Sequence, residues 1–173
     1  MPQRTDSYDI GRLWLTSGEG RRVDLEVHVE PFEYGGSTYG VEPDTVAVRL
    51  DISRTTGDGW ALRMRFAAKV DGPCMRCLDP ASPTFDVDSY EVHQPGAGDP
   101  DLLSPYMGEE LDVAGWARDA LALALPAQLT CRDDCAGLCP QCGANLNEDP
   151  DHCHEGAPDQ RWAKLSELKF DQG

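Results

Sequence analysis

The sequence has no apolar run long enough to cross a bilayer. Its longest, Ala120 to Ala127, contains Pro126 and falls far short of the ~20 apolar residues that a membrane helix needs. The N-terminal MPQRTDSYDI lacks the apolar core of a signal peptide. Both absences predict a cytoplasmic protein, in a compartment where thiols stay reduced. Seven cysteines is an odd total, which argues against a complete disulfide framework. Also missing are a Gly-rich phosphate loop, a nucleophile elbow and a metalloprotease helix motif, so the best-marked enzyme classes fall away. No basic surface interleaved with aromatics is present, of the kind that grips single-stranded nucleic acid.

Positive charge is scarce. Fifteen Lys and Arg stand against 31 Asp and Glu, for a net charge of −16. Residues 77–117 hold nine acids and no Lys or Arg. Such a surface repels nucleic-acid phosphates and attracts a basic partner, such as a ribosomal protein; solubility alone would also account for it. The remaining candidate for RNA contact is a local patch of Arg63, Arg65, Lys69 and Arg76. Strand alternation puts Arg63, Arg65 and Lys69 on one face, which is equally the look of an ordinary solvated strand.

The length of 173 residues suits one domain or one domain with a small appendage. Its first half alternates with period two. Val23, Leu25, Val27 and Val29 form one apolar face, Val46, Val48, Leu50 and Ile52 a second. Trp60, Leu62, Met64, Phe66, Ala68 and Val70 form a third. Each run reads as a strand with one side on a core and the other in water. A weaker run, Thr84 to His93, changes apolar parity between Val87 and Tyr90, which suggests a bulge or an edge. Thr56-Gly57-Asp58-Gly59 marks a turn between the second and third strands. The runs together predict an antiparallel meander.

A Pro- and Gly-rich acidic loop follows at 94–108. Leu121, Leu123 and Leu125 then alternate as in a strand, but the alanine-rich LDVAGWARDALALALP favours a helix, with Asp112 as N-cap and an end near 125. Asp159 would cap a last short helix carrying Trp162, Leu165 and Leu168. The four tryptophans, Trp14, Trp60, Trp116 and Trp162, are expected in the core, and His28 and His93 at the solvated surface. The fold class expected is α+β: an antiparallel β-meander with one packed helix and a cysteine-rich, zinc-binding C-terminal tail. The expected division is a sheet-plus-helix domain over 1–127 and a zinc-knuckle tail over 128–173 packed on it.

The sharpest feature is CRDDCAGLCPQCGANLNEDPDHCH at 131–154, with five cysteines and two histidines; the other 149 residues hold two of each. Cys139-Pro-Gln-Cys142-Gly143 has the spacing of half a zinc site: two thiolates on a tight turn, with a glycine free to take positive φ. Zinc wants about four N or S ligands. Cys131 and Cys135 lie upstream; His152, Cys153 and His154 lie downstream; Cys74-Met-Arg-Cys77 sits far upstream between the third and fourth strands. Two arrangements follow. Cys131, Cys135, Cys139 and Cys142 make one site for one ion, leaving Cys74 and Cys77 spare. Otherwise Cys74 and Cys77 join Cys131 and Cys135, while Cys139 and Cys142 join two of His152, Cys153 and His154, for two ions. The first is simpler and is preferred on sequence alone. Cys74 and Cys77 also admit a thiol oxidoreductase reading, but Pro73 and flanking strands replace the helix N-terminus that activates such a pair. Cysteine-rich ligation at knuckle spacing favours a closed structural site over a catalytic one.

GPCMRCLDP at 72–80, the Leu-Ala-Leu-Pro helix end, CRDDCAGLCPQCGANLN at 131–147 and DQRWAKLSEL at 159–168 resemble the YceD family of large ribosomal RNA subunit accumulation proteins. The motifs cover about a third of the chain. The resemblance implies a cytoplasmic, non-enzymatic factor in ribosome biogenesis. Its partners would be a ribosomal protein, an assembly factor or pre-ribosomal RNA, with no membrane and no small-molecule substrate. It carries over no catalytic residue. Many members have Cys-x-Cys after the NLN string, where this chain has His152-Cys153-His154; an exchange of Cys-x-Cys for His-x-His would favour two sites. A zinc-stabilised interaction module in another pathway is the competing reading.

Overall fold

The computed structural model describes residues 5–152 and 154. Nine strands and one α-helix run in the order β1 (Ser7–Tyr8), β2 (Gly20–His28), β3 (Phe32–Tyr34), β4 (Ser37–Glu42), β5 (Thr45–Arg54), β6 (Trp60–Pro73), β7 (Pro80–Ala81), β8 (Thr84–His93), β9 (Leu111–Asp112) and α1 (Val113–Ala124). Strands β2, β5, β6 and β8 are antiparallel neighbours in chain order, which is the predicted meander. The class is α+β.

The alternation explains the core. On β5 the buried residues are Val46, Val48, Leu50 and Ile52, and on β6 they are Trp60, Leu62, Met64, Phe66, Ala68 and Val70. Against this face α1 lays Val113, Trp116, Ala117, Ala120 and Leu121. Asp112 caps α1 by accepting the Gly115 N–H at 2.9 Å. Leu121 is buried while Leu123 is 88% exposed, so the leucine alternation is a helical stripe with one outward residue.

Three expectations need correction. A hairpin, β3–β4, is inserted between the first two meander strands and pairs Gly40, Val41 and Glu42 with Asp71, Val70 and Lys69. Its single exposed-buried alternation, Tyr39 then Val41, is too short to stand out. Of the two alternatives for Thr84 to His93, β8 is the edge and not the bulge: its register with β6 is unbroken from Trp60↔His93 to Lys69↔Thr84. Trp14 is 88% exposed, because it closes a 3-10 turn in the left-handed region at φ 49° and points away from the core. His28 and His93 are half-buried rather than solvated. Trp162, Leu165, Leu168 and Cys153 lie outside the described residues.

Three of the four residues of the RNA patch, Arg63, Arg65 and Lys69, sit beside acids. Arg63 makes two bonds to Asp88, at 2.8 and 2.5 Å. Arg65 reaches Asp51 at 2.6 Å, and Lys69 lies 3.2 Å from Asp71. The first two pairs are cross-strand and the third lies along β6; opposite charges so placed are what a solvated strand face selects.

Candidate metal centre

Strand β6 ends at Pro73, and the chain turns back into β7 through Cys74-Met75-Arg76-Cys77. In that turn the Leu78 N–H donates to the Cys74 carbonyl at 2.9 Å, and Leu78 takes φ 65°. The second knuckle repeats this backbone: the Gly143 N–H donates to the Cys139 carbonyl at 2.8 Å, with φ 76°. A left-handed residue after the second cysteine turns the chain so that both thiols face one point. Glycine does this without a Cβ clash; Leu78 does it with one.

The residues beyond α1 are brought to the first knuckle by main-chain bonds. Met75 donates to the Leu129 carbonyl at 2.8 Å and Leu138 to the Arg76 carbonyl at 3.1 Å. Gly137 is needed there: at φ 81°, a Cβ would sit 3.2 Å from the Arg76 oxygen. Asn145 adds a bond to Asp79 at 2.9 Å, and Asn147 accepts the Ala136 N–H at 2.8 Å and donates to the Cys135 sulfur at 3.5 Å.

These contacts sort the ligands into two groups. Cys74, Cys77, Cys131 and Cys135 form the first, and Cys139, Cys142, His152 and His154 the second; within each, the ligand atoms lie within 4.8 Å of one another. Either group could hold a metal ion. The six described cysteines are all free thiols. The single four-cysteine site preferred on sequence, Cys131 with Cys135, Cys139 and Cys142, is not what the chain assembles, because Cys131 and Cys135 are carried to the sheet end. Cys74 and Cys77 are therefore not spare.

The distances fit a tetrahedral ion. Bonds of about 2.3 Å to four sulfurs place those sulfurs about 3.8 Å apart. Cys74 and Cys135 sulfurs are 3.8 Å apart, and those of Cys77 and Cys131 3.6 Å. In the second group Cys142 Sγ lies 3.2 Å from His152 Nε2, and Cys139 Sγ 3.2 Å from His154 Nε2. His152 Nδ1 is turned to Asp149 at 3.5 Å, leaving Nε2 for an ion.

Local electrostatics favour the thiolate, the form a metal takes, at Cys74, Cys135 and Cys139, and burial opposes it at Cys77 and Cys131. Burial acts to raise the Cys74 thiol, but N–H groups of Cys77 and Arg76 outweigh it and hold it down at about 6. The Gln141 and Cys142 N–H groups draw Cys139 down to about 6. Burial pushes the Cys77 thiol up. The groups also differ in access. In the first Cys74, Cys77 and Cys135 are buried and Cys131 is exposed, whereas in the second only Cys139 is buried.

A family model described as "Large ribosomal RNA subunit accumulation protein YceD" matches residues 62–169, a span that includes every candidate ligand from Cys74 to His154. The chain belongs to the YceD family. Similar proteins described as uncharacterized occur in Mycobacterium tuberculosis and Mycobacterium bovis. Each is 33% identical over 167 residues, which is 92% of this chain and 79% of the relative. A Mycobacterium leprae protein, likewise described as uncharacterized, is 44% identical over 68 residues, 39% of this chain and 31% of its own. No solved structure matches. No helix among the described residues of this YceD-family chain is long and apolar enough to cross a membrane.

Proposed function

We propose that this YceD-family chain is a non-enzymatic ribosome biogenesis factor needed for large-subunit ribosomal RNA to accumulate. It acts by binding a basic ribosomal protein or assembly factor, in the cytoplasm. The observation that carries this reading is the family match over 62–169, which spans the acidic segment 77–117 and both ligand groups. Zinc is the metal, one ion in each group, because thiolate and imidazole donors in closed tetrahedra are its preferred setting. Bound there, it holds residues 128–154 to the end of the sheet domain that ends near 127; the chemistry it supplies is structural.

Two observations favour protein over RNA as the partner, and binding over catalysis. Arg63, Arg65 and Lys69 are each within reach of an Asp, so little unpaired positive charge is left for phosphates. Cys74 and Cys77 are themselves buried, against Cys135 and the exposed Cys131, which disfavours direct attack on a substrate disulfide by this pair.

The test is the ratio of large- to small-subunit ribosomal RNA in cells depleted of the protein. A selective fall of the large-subunit RNA is expected. An unchanged ratio with normal ribosome profiles would discard the reading and leave a zinc-held interaction module of another pathway.

A further inference from the structure

The acidic segment contains an open sheet edge. Strand β8 pairs with β6 on one side, and no described residue pairs with it on the other. The direction of its free groups follows from one bond. Val70 donates to the Pro83 carbonyl at 2.9 Å, next to the Lys69↔Thr84 pair. In an antiparallel ladder the bonded positions alternate, so Phe85, Val87, Ser89, Glu91 and His93 turn their N–H and C=O groups to β6. Asp86, Asp88, Tyr90 and Val92 turn theirs outward. The Gln94 N–H, next in that outward series, is already taken by the Leu102 carbonyl at 2.7 Å, which closes the edge at its end.

Beside this edge runs a groove of about 480 Å³ between β8 and α1, lined by residues 86–90 of β8 and by Ala120, Leu123 and Ala124 of α1. Its floor is fixed by the Trp116 indole N–H, which donates to the Ser89 hydroxyl at 2.9 Å. Leu123 and Tyr90 are both exposed large apolar side chains.

We propose that the β8 edge and the β8–α1 groove receive an extended cationic segment of a partner protein as an added strand. This rests on the basic-partner reading above and states how that partner is held. An added strand puts alternate side chains on opposite faces. One set lies beside Asp86, whose carboxylate makes no ion pair among the described residues and so favours positive charge, while Asp88 is already held by Arg63; the other lies over Ala120, Leu123 and Ala124, where apolar side chains are. The segment that fits therefore alternates basic and apolar residues. A second copy of this chain fits poorly, because edge-to-edge pairing would set Asp86 and Asp88 against acids, on a chain of net charge −16.

The probe is a synthetic peptide alternating Lys and Val, compared with a peptide of the same composition in which the lysines are grouped. Binding is read by fluorescence anisotropy on the full zinc-loaded chain, and by hydrogen exchange of individual amides. The alternating peptide should bind more tightly and slow exchange at Asp86, Asp88, Tyr90 and Val92, while the amides of Val87 and Ser89, already bonded to β6, change little. Asp86→Pro removes an outward N–H without touching a β6 bond and should weaken binding about tenfold, whereas Asp86→Asn, which keeps the N–H, should cost about threefold. Leu123→Lys, at an exposed helix position that leaves the fold intact, should weaken it about fivefold. Equal binding of both peptides, with no amide protection and no loss in Asp86→Pro, would overturn strand addition while leaving the basic-partner reading standing. A wild-type dimer that Asp86→Pro converts to monomer would overturn it in favour of a second copy. Failure of the broader reading shows separately, as an unchanged ribosomal RNA ratio on depletion.

Discussion

The sulfurs of Cys77 and Cys131 lie 3.6 Å apart although 54 positions separate them in the chain. One comes from the turn that ends β6, the other from the segment after α1. A ligand group built this way closes a long loop and ties the tail to the sheet. Its partner group, by contrast, draws Cys139, Cys142, His152 and His154 from one short stretch. The two groups therefore answer differently to mutation.

Cys131→Ser should reduce bound zinc from two ions to one and detach the tail from the sheet end. Losing a structural ligand set is among the large single-residue effects, about 3 kcal/mol or more. That corresponds to a fall of roughly 10 °C in the thermal midpoint for a chain of this size. Native mass spectrometry gives the zinc count and calorimetry the midpoint. An unchanged midpoint with one ion lost would mean that this group does not secure the fold.

His154→Ala should also remove one ion, but leave the sheet domain's main unfolding transition within about 1 kcal/mol of the wild type, since its side chain is exposed and its ligand partners are local. Exchange protection should be lost over 139–152 and kept at β6. Protection lost at both would show that the two groups fold as one unit.

The residue after each knuckle gives a pair of opposite effects. Gly143→Val places a β-branched side chain at φ 76°, in open space, so the cost is backbone strain alone; it should weaken zinc at the second group by about 1 kcal/mol or somewhat more. Leu78→Gly relieves the same strain at φ 65° and should leave the first group as tight or tighter. Competition against a chromogenic chelator reads both. A weaker first group in Leu78→Gly would assign that leucine a packing role.

Asp51 joins three strands. The Arg22 bond at 2.5 Å does most to hold its carboxyl below the usual range, burial opposes this, and Arg65 at 2.6 Å adds to the lowering. A carboxyl whose folded pKa is depressed stabilises the protein above its unfolded value, near 4, and loses that contribution as pH falls through the folded value. Asp51→Asn should thus cost about 1 kcal/mol at pH 7, after solvent screening, and clearly less near pH 3. Urea midpoints at the two pH values measure it. A cost that does not shrink in acid would assign the effect to packing.

The meander was legible because Val46–Ile52 and Trp60–Val70 alternate over enough residues to fix which face is buried. The β3–β4 hairpin was not, because three-residue pairing leaves too short a pattern. The candidate ligands were legible as a set from spacing: the knuckles at 74–77 and 139–142 show themselves locally. Their sorting was not. It depends on Met75 bonding to Leu129 and Leu138 to Arg76, long-range main-chain contacts that carry no side-chain signature. The outward position of Trp14 was not legible, because a large apolar ring signals burial while the left-handed turn that directs it outward has no sequence pattern of its own. The open edge of β8 left a trace in the parity change between Val87 and Tyr90, where an outward face carries an aromatic instead of a charge.

The central claim is that a tail fastened to the sheet by the Cys74, Cys77, Cys131 and Cys135 group forms part of what large-subunit ribosomal RNA accumulation requires. The most direct measurement is the ratio of large- to small-subunit ribosomal RNA in depleted cells supplied with either the wild type or Cys77→Ser/Cys131→Ser at matched protein levels. The account predicts that the wild type restores the ratio and the double variant does not. Full restoration by the double variant would contradict it.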